Sequence, residues 1–170
     1  GATAMGMFNL AVGVRRGFIT REQGAQRVLK ILTFLHDKAD RYHGAFPHWL
    51  NGETGKTLPF SKDDNGADLV ETAFLAQAFV MMREAFKADT PNERKIRDVA
   101  DQLWRDIEWD FFVKEKNGRK TLLWHWSPTV GFKKNHGIGG FNECQITYLM
   151  ALASPTHPIS MDVYRSGWEG

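Results

Sequence analysis

The segment DDNGADLVETAFL, residues 63–75, carries four acidic side chains into an apolar run. Carboxylates gathered this way can hold a metal ion, move protons on and off a substrate, or do no more than satisfy a helix end. On a helix, positions 64, 68 and 71 recur at spacings of four and three, so Asp64, Asp68 and Glu71 share one face around its N-terminus. Acids there complement the helix dipole, and Asp63, Asp64 or Asn65 can serve as the cap. A cap needs one acid, however, and the stripe runs on to Glu71 beside Phe74 and Leu75. Like charges crowded there raise at least one pKa, a property that acid–base catalysis uses. Glu143, in GFNECQ, is a further candidate: it lies just inside the start of an expected helix, reached through the Gly-rich loop GFKKNHGIGG. From there it would project toward the same region, although a dipole-satisfying role fits it equally.

Other chemistries find less support. A DD-x-x-x-D run resembles the aspartate-rich helices with which isoprenoid synthases hold magnesium, but those need a second acidic helix and basic residues for diphosphate, and GFNECQ supplies one acid. The six histidines show neither HxxxH nor HExxH spacing, so no metal site is expected. The glycines of GIGGFN have neither P-loop nor dinucleotide spacing, and no cofactor is expected. Cys144 sits in an apolar helical pattern and reads as a small buried residue. The aromatics say more. Phe46, His48, Trp49, Phe60, Trp124, Trp126 and Phe132 all fall in expected loops or hairpins, where flat rings can stack on sugar C–H faces while carboxylates and amides take the hydroxyls. Packing of small loop cores is the plainer account of the same rings.

These residues have to be positioned by a fold that the remaining pattern outlines. With 170 residues, 42% of them hydrophobic, the chain can bury one core, and residues 1–170 read as a single domain. A net charge of +2, from 22 basic and 20 acidic residues with no polybasic run, does not build a nucleic-acid face. One cysteine excludes an internal disulfide. No apolar stretch is long enough to span a bilayer, and Arg15 and Arg16 follow the first apolar segment, the wrong order for a signal peptide. The absent initial methionine and the abrupt YRSGWEG end suggest an excised or truncated segment.

Helices are expected over Met5–Arg16 with a Gly17 cap, from Thr20 to about Ala39 behind the capping box Thr20-Arg-Glu-Gln23, from about Gly66 to Lys87, from Thr90 through Ile107 behind a second capping box, and over FNECQITYLMALAS; a sixth starts near Met161. NGETG reads as a ribbon tip in the long 42–64 loop, and Asn117-Gly118 as a hairpin turn joining VKEK to TLLWHW. Without regular strand–helix alternation, the fold class is all-α: an α/α toroid or part of one, with small β-hairpins in the loops on one side; a plain helical bundle is the runner-up.

Taken together, GAFPHWLNGETG, FSKDDNGADLVETAFLAQ, LLWHWSPTVGF, GIGGFNECQITYLMALASPTHPI and the terminal Y-x-x-x-W resemble the bacterial glucoamylase-like glycoside hydrolase family that includes endo-β-1,2-glucanases. The resemblance covers almost the whole chain in the family's order. It implies an (α/α)6 barrel with a cleft lined by the loops at one end, and Asp64, Asp68 and Glu71 as the active-site acidic stripe. Glu143 matches the remaining acid, and His48, Trp49, Trp124, Trp126, Phe132 and Asn142 would lie at sugar subsites. It further implies cleavage of a β-glucan, β-1,2-linked, by inversion, with Glu143 as general acid and the 64/68/71 group orienting water and substrate hydroxyls. Transglycosylating relatives and a glycan-binding segment without catalysis are the alternatives, and a structural helical domain whose acids only cap is a third. Such a barrel needs about twice this many helices, so the chain corresponds to its first half. The implied partners are an oligo- or polysaccharide and the missing half of the barrel, or a second copy through self-association; nucleic acid and membrane are not. A periplasmic or extracellular place follows from the polymeric substrate.

Overall fold

The computed structural model describes residues 1–170, residue 116 by its backbone alone. Its first helix, α1 (Ala2–Arg15), ends where Gly17 takes a φ of 71°. The Gly17 and Phe18 amides then donate to the carbonyls of Val14 and Gly13, the paired closure that a left-handed glycine permits. Helix α2 (Arg21–Asp37) opens on the complete Thr20/Gln23 capping box and buries Val28, Leu32 and Leu35. After the long loop come α3 (Leu69–Ala85) and α4 (Pro91–Arg105).

Three two-stranded antiparallel ribbons are set among the helices. Strand β1 (Trp49–Leu50) pairs with β2 (Thr57–Leu58) around the NGETG tip. Strand β3 (Ala67–Asp68) precedes α3 directly. Strands β4 (Val113–Lys116) and β5 (Arg119–Leu122) form the expected hairpin, with φ of 54° at Asn117 and 76° at Gly118, the turn whose twist matches the strands. Strand β6 (His125–Trp126) returns to β3. The chain ends with α5 (Gln145–Leu152), α6 (Met161–Tyr164) and a wider helical turn over Arg165–Glu169.

Helix α3 is the centre of this mostly helical arrangement, packing on α1, α4 and α5. Leu69, Val70, Ala73, Leu75, Ala76, Ala78, Phe79 and Met82 are all buried, so it is apolar nearly all round, as a helix surrounded by others must be. Its outer half joins a core with α1, α2 and α4, and its inner half joins a second with Trp109, Phe112, Tyr148 and Trp168; Phe74 and Trp104 pack against both. The Tyr148 hydroxyl donates to the Ile138 carbonyl at 2.8 Å and accepts from the Leu122 amide at 3.2 Å, fastening α5 to the hairpin and the Gly-rich loop.

Three expectations need correction. Helix α3 begins at Leu69 and not near Gly66, because residues 67 and 68 are taken into β3. Helix α5 has eight residues, so Glu143 lies in the turn before it and not inside it. The Thr90 capping box is half formed: Thr90 accepts from the Glu93 amide, but the Glu93 carboxylate turns away to Arg21 on α2 and the Ala88 amide.

That diversion joins two helices, and at 2% exposure it leaves Glu93 dependent on its partners. The Arg21 bond, with the Ala88 amide, holds the Glu93 carboxyl below the usual range despite burial. A lowered carboxylate pKa contributes stability above its unfolded value, and that stability is lost as pH falls through the folded one. Unfolding by urea should therefore become easier below pH ~4.3, and E93Q should flatten that dependence while costing about 2 kcal/mol at neutral pH.

Candidate active site

Gly66 decides how the acidic segment lies. A Cβ at this position would stand 2.3 Å from the Trp126 carbonyl oxygen, so only glycine lets β3 close on β6. The pairing sets Ala67 opposite Trp126 and Asp68 opposite His125. On the other side, the Asp68 amide donates to the Phe46 carbonyl at 2.8 Å and the Phe46 amide donates to Thr72 Oγ1 at 2.8 Å. The His48 loop is thereby held against the first turn of α3.

Asp68, at 1% exposure, caps α3: its Oδ1 accepts from the Glu71 amide at 3.0 Å and from Trp124 Nε1 at 2.8 Å. Its Oδ2 accepts from His48 Nδ1 at 2.8 Å. Burial pushes its pKa up, against the opposing pull of His48, His125 and Trp124. Asp64, also buried, lies in the turn before β3; its Oδ2 is 3.1 Å from Lys134 Nζ and 3.3 Å from His125 Nε2. Asp63 pairs with Lys133 at 2.9 Å, so consecutive lysines of the Gly-rich loop meet consecutive aspartates. Glu71 presents its carboxylate to the Gly1 amino group at the start of α1.

Beside these acids lies a cavity of about 460 Å³, whose walls include Phe46, His48, Trp49, Leu58, Glu71 and Leu75. Trp49 and Phe60 stand at its rim with about half of each surface exposed (52% and 49%) and ring centroids 4.9 Å apart. Of three larger grooves, those of about 580 Å³ beside the β4–β5 hairpin and about 600 Å³ between α1 and α3 have no carboxylate in their walls, and one of about 480 Å³ along α2 has Asp37 alone, with no tryptophan or histidine. The smaller cavity is the one with the chemistry.

The structure therefore brings Asp64, Asp68, Glu71, His48, Trp49 and Trp124 together. Trp126 and Phe132 are gathered elsewhere. As the neighbour of His125 in β6, Trp126 faces the opposite side of the ribbon, 5.0 Å from the His43 ring and 5.9 Å from Phe111. Phe132 packs 5.3 Å from Phe111, under Lys114. Asn142 closes the turn before α5, donating to the Gly139 carbonyl and accepting from the Cys144 amide. Glu143 is exposed in that turn. Cys144 behind it is buried in the core, and burial, with the charges of Glu143 and Asp68, pushes its thiol up to about 11, consistent with an inert packing residue. Among the described residues, no three His, Cys, Asp or Glu side chains converge as for a metal ion, and no helix is long and apolar enough to cross a membrane.

Sequence reasoning missed His125 and Lys134, and it named Phe60 among the loop aromatics without carrying it to a sugar subsite. The chain bends at Trp124, between β5 and β6, and this lets both Trp124 and His125 meet the acids. Strict alternation along LLWHW would have separated them, and no spacing signal marks such a bend.

This arrangement has close counterparts. Over 169 residues, 99% of this chain, it is 45% identical to an exo β-1,2-glucooligosaccharide sophorohydrolase (non-reducing end) of Parabacteroides distasonis. The backbone matches an endo-β-1,2-glucanase from Chitinophaga pinensis, solved as a sophorotriose and glucose complex, with a TM-score of 0.91 and 47% identity over 97% of this chain. The chain resembles glucoamylase-like glycoside hydrolases over this part of their length. The family described as "Putative glucoamylase" matches residues 135–170, which include Asn142 and Glu143. A β-1,2-glucanase from Parabacteroides distasonis superposes with a TM-score of 0.93 at 45% identity over 98% of this chain. The chain spans only part of these relatives: 23% of the sophorohydrolase, 38% of the Chitinophaga enzyme and 24% of the Parabacteroides glucanase.

The Asp68 contacts predict an order of damage. D68A strands the Trp124 N–H, the His48 ring and a helix amide, and should cost about 3 kcal/mol in urea unfolding. D68N keeps an oxygen for the first helical turn and lets His48 change tautomer, so its loss should be smaller. Because the folded pKa of Asp68 is raised, its contribution is full below the unfolded value and is lost as pH rises through the folded one. D68N should remove that decline.

Proposed function

We propose that this chain is the acid-bearing part of a β-glucan hydrolase acting on β-1,2-linked glucose. The observation that carries the reading is the cavity beside Asp68, which has a carboxylate and an indole in its walls and half-exposed rings at its rim. Such a site can stack a sugar ring while its acids take hydroxyls and water. The relatives' action on β-1,2-glucans supports the linkage.

In the proposed mechanism Glu143 is the general acid. It is exposed and makes no hydrogen bond among the described residues, so it can turn toward a leaving oxygen. Asp68 has both oxygens engaged and orients His48 and Trp124, while Asp64 and Glu71 orient water and sugar hydroxyls. Water attacking from the face opposite the leaving group gives inversion. Trp49, Trp124, Trp126, Phe132, His48 and Asn142 are proposed sugar contacts, with Trp126 and Phe132 serving a more distant part of the chain of sugars. A polymeric substrate supports a periplasmic or extracellular place. The fraction of the relatives' length covered favours a second reading, in which this chain holds glycan and needs further barrel helices, its own or another chain's, for cleavage.

Reducing-end release from β-1,2-, β-1,3-, β-1,4- and α-1,4-glucans tests the proposal. Release should occur from the β-1,2 polymer, fall at least ~100-fold in E143Q, and yield the α-anomer first by proton NMR. Calorimetric binding of β-1,2-glucan without release would select the holding role. Neither binding nor release from folded protein would overturn both.

A further inference from the structure

His125 has no part in the mechanism above, yet it stands opposite Asp68 in the β3–β6 register with its side chain nine-tenths buried. Its Nε2 is 3.3 Å from Asp64 Oδ2 and 3.9 Å from Asp68 Oδ2. Among the described residues no other side chain pairs with both. The ring lies parallel to Trp124, with centroids 5.6 Å apart and 5° between planes, so the residue that donates to Asp68 also sets the plane of the imidazole.

The two ring nitrogens have opposite surroundings. Nδ1 is buried without a hydrogen-bond partner. A proton on Nε2 faces a carboxylate oxygen 3.3 Å from that nitrogen, in contact but short of an aligned hydrogen bond; a proton on Nδ1 would be stranded away from any acceptor. In the neutral Nε2–H tautomer the orphaned Nδ1 is a bare lone pair, whereas the imidazolium, protonated at both nitrogens, leaves a buried N–H unpaired. The charged or titratable groups acting on the ring are Asp64, Asp68, Lys134 and His136. Burial outweighs the two carboxylates, with Lys134 and His136 adding to it, and the ring's pKa falls below the ordinary value. The carboxylates thus face the Nε2 edge of the ring without gaining a counter-charge.

Resting on the reading of this site as glucan-cleaving, we infer that His125 is a positioning residue of the acidic stripe: as a neutral Nε2–H donor it holds Asp64 beside Asp68 without adding positive charge to the cluster. Lys134, partly exposed on the Gly-rich loop, supplies charge from the rim; His125 supplies direction from within. The role is separate from proton transfer, because the orphaned Nδ1 gives the ring no second partner through which to pass a proton.

Long-range proton–nitrogen NMR of the chain with labelled histidine reads the tautomer and titration without any substrate. His125 should show the Nε2–H pattern near neutral pH and titrate below the ordinary value of ~6.5. Two variants separate positioning from mere bulk: the amide nitrogen of H125Q takes the place of Nε2, and that of H125N the place of Nδ1. The Asp64 carboxyl shift, followed by carbon NMR, should move in H125N and stay near the parent in H125Q. Where the parent releases sugar from β-1,2-glucan, H125N should lower kcat ~100-fold with KM changed less than ~3-fold, and H125Q should recover at least ~10-fold of the loss. An Nδ1–H tautomer, an imidazolium near neutral pH, or equal behaviour of the two variants overturns the inference. A parent chain with the expected spectra that neither binds nor cleaves glucan overturns the functional reading instead and leaves the placement of Asp64 by His125 standing.

Discussion

A carboxylate that is 1% exposed cannot be left to itself, and the rest of the site follows from how Asp68 is satisfied. Its two oxygens take a helix amide, an indole N–H and an imidazole N–H from three different parts of the chain. Each donor is fixed in turn: the amide by the first turn of α3, the indole by the bend between β5 and β6, the imidazole by the Phe46 loop. Capping alone would have asked for one oxygen. Here the second oxygen converts a helix end into a junction, and the junction sets His48 and Glu71 in the walls of one cavity while Trp124 is bonded to the same carboxylate.

That junction is supported by apolar packing on both flanks. Because α3 is buried almost all round, its N-terminus cannot shift without disturbing both cores, and Phe74 and Trp104 couple the two. The raised pKa of Asp68 is the corresponding electrostatic cost. A site that keeps an ion where water cannot reach it gives up some stability, offset by the packing that surrounds it.

The neighbouring charges are handled differently. Asp63 and Asp64 meet Lys133 and Lys134, which reach across from the Gly-rich loop. The Asp63–Lys133 pair is partly exposed and steers the loop more than it stabilises the fold, whereas Asp64 is buried and depends on Lys134 for its counter-charge. The same loop leads to Asn142 and the turn carrying Glu143, which links the position of that acid to the aspartates it would work beside.

Much of this was legible from residue order. The capping box at Thr20, the glycine closing α1, the Asn117-Gly118 turn and the buried Cys144 depend on contacts within a few residues or on composition, and they stand as the pattern indicates. The gathering of Asp64 and Asp68 is also seen, though by another geometry: Asp64 closes a turn with Ser61, Asp68 lies in β3, and their carboxylates stand 3.3 and 3.9 Å from His125 Nε2. Tertiary structure alone decided that residues 67 and 68 pair with β6, that the bend at Trp124 turns His125 inward, and that Trp126 faces away. Local chemistry determined the elements and named the acids; which donors reach them was decided by strands distant in sequence, because a buried carboxylate takes its partners from whatever the fold brings within about 3 Å.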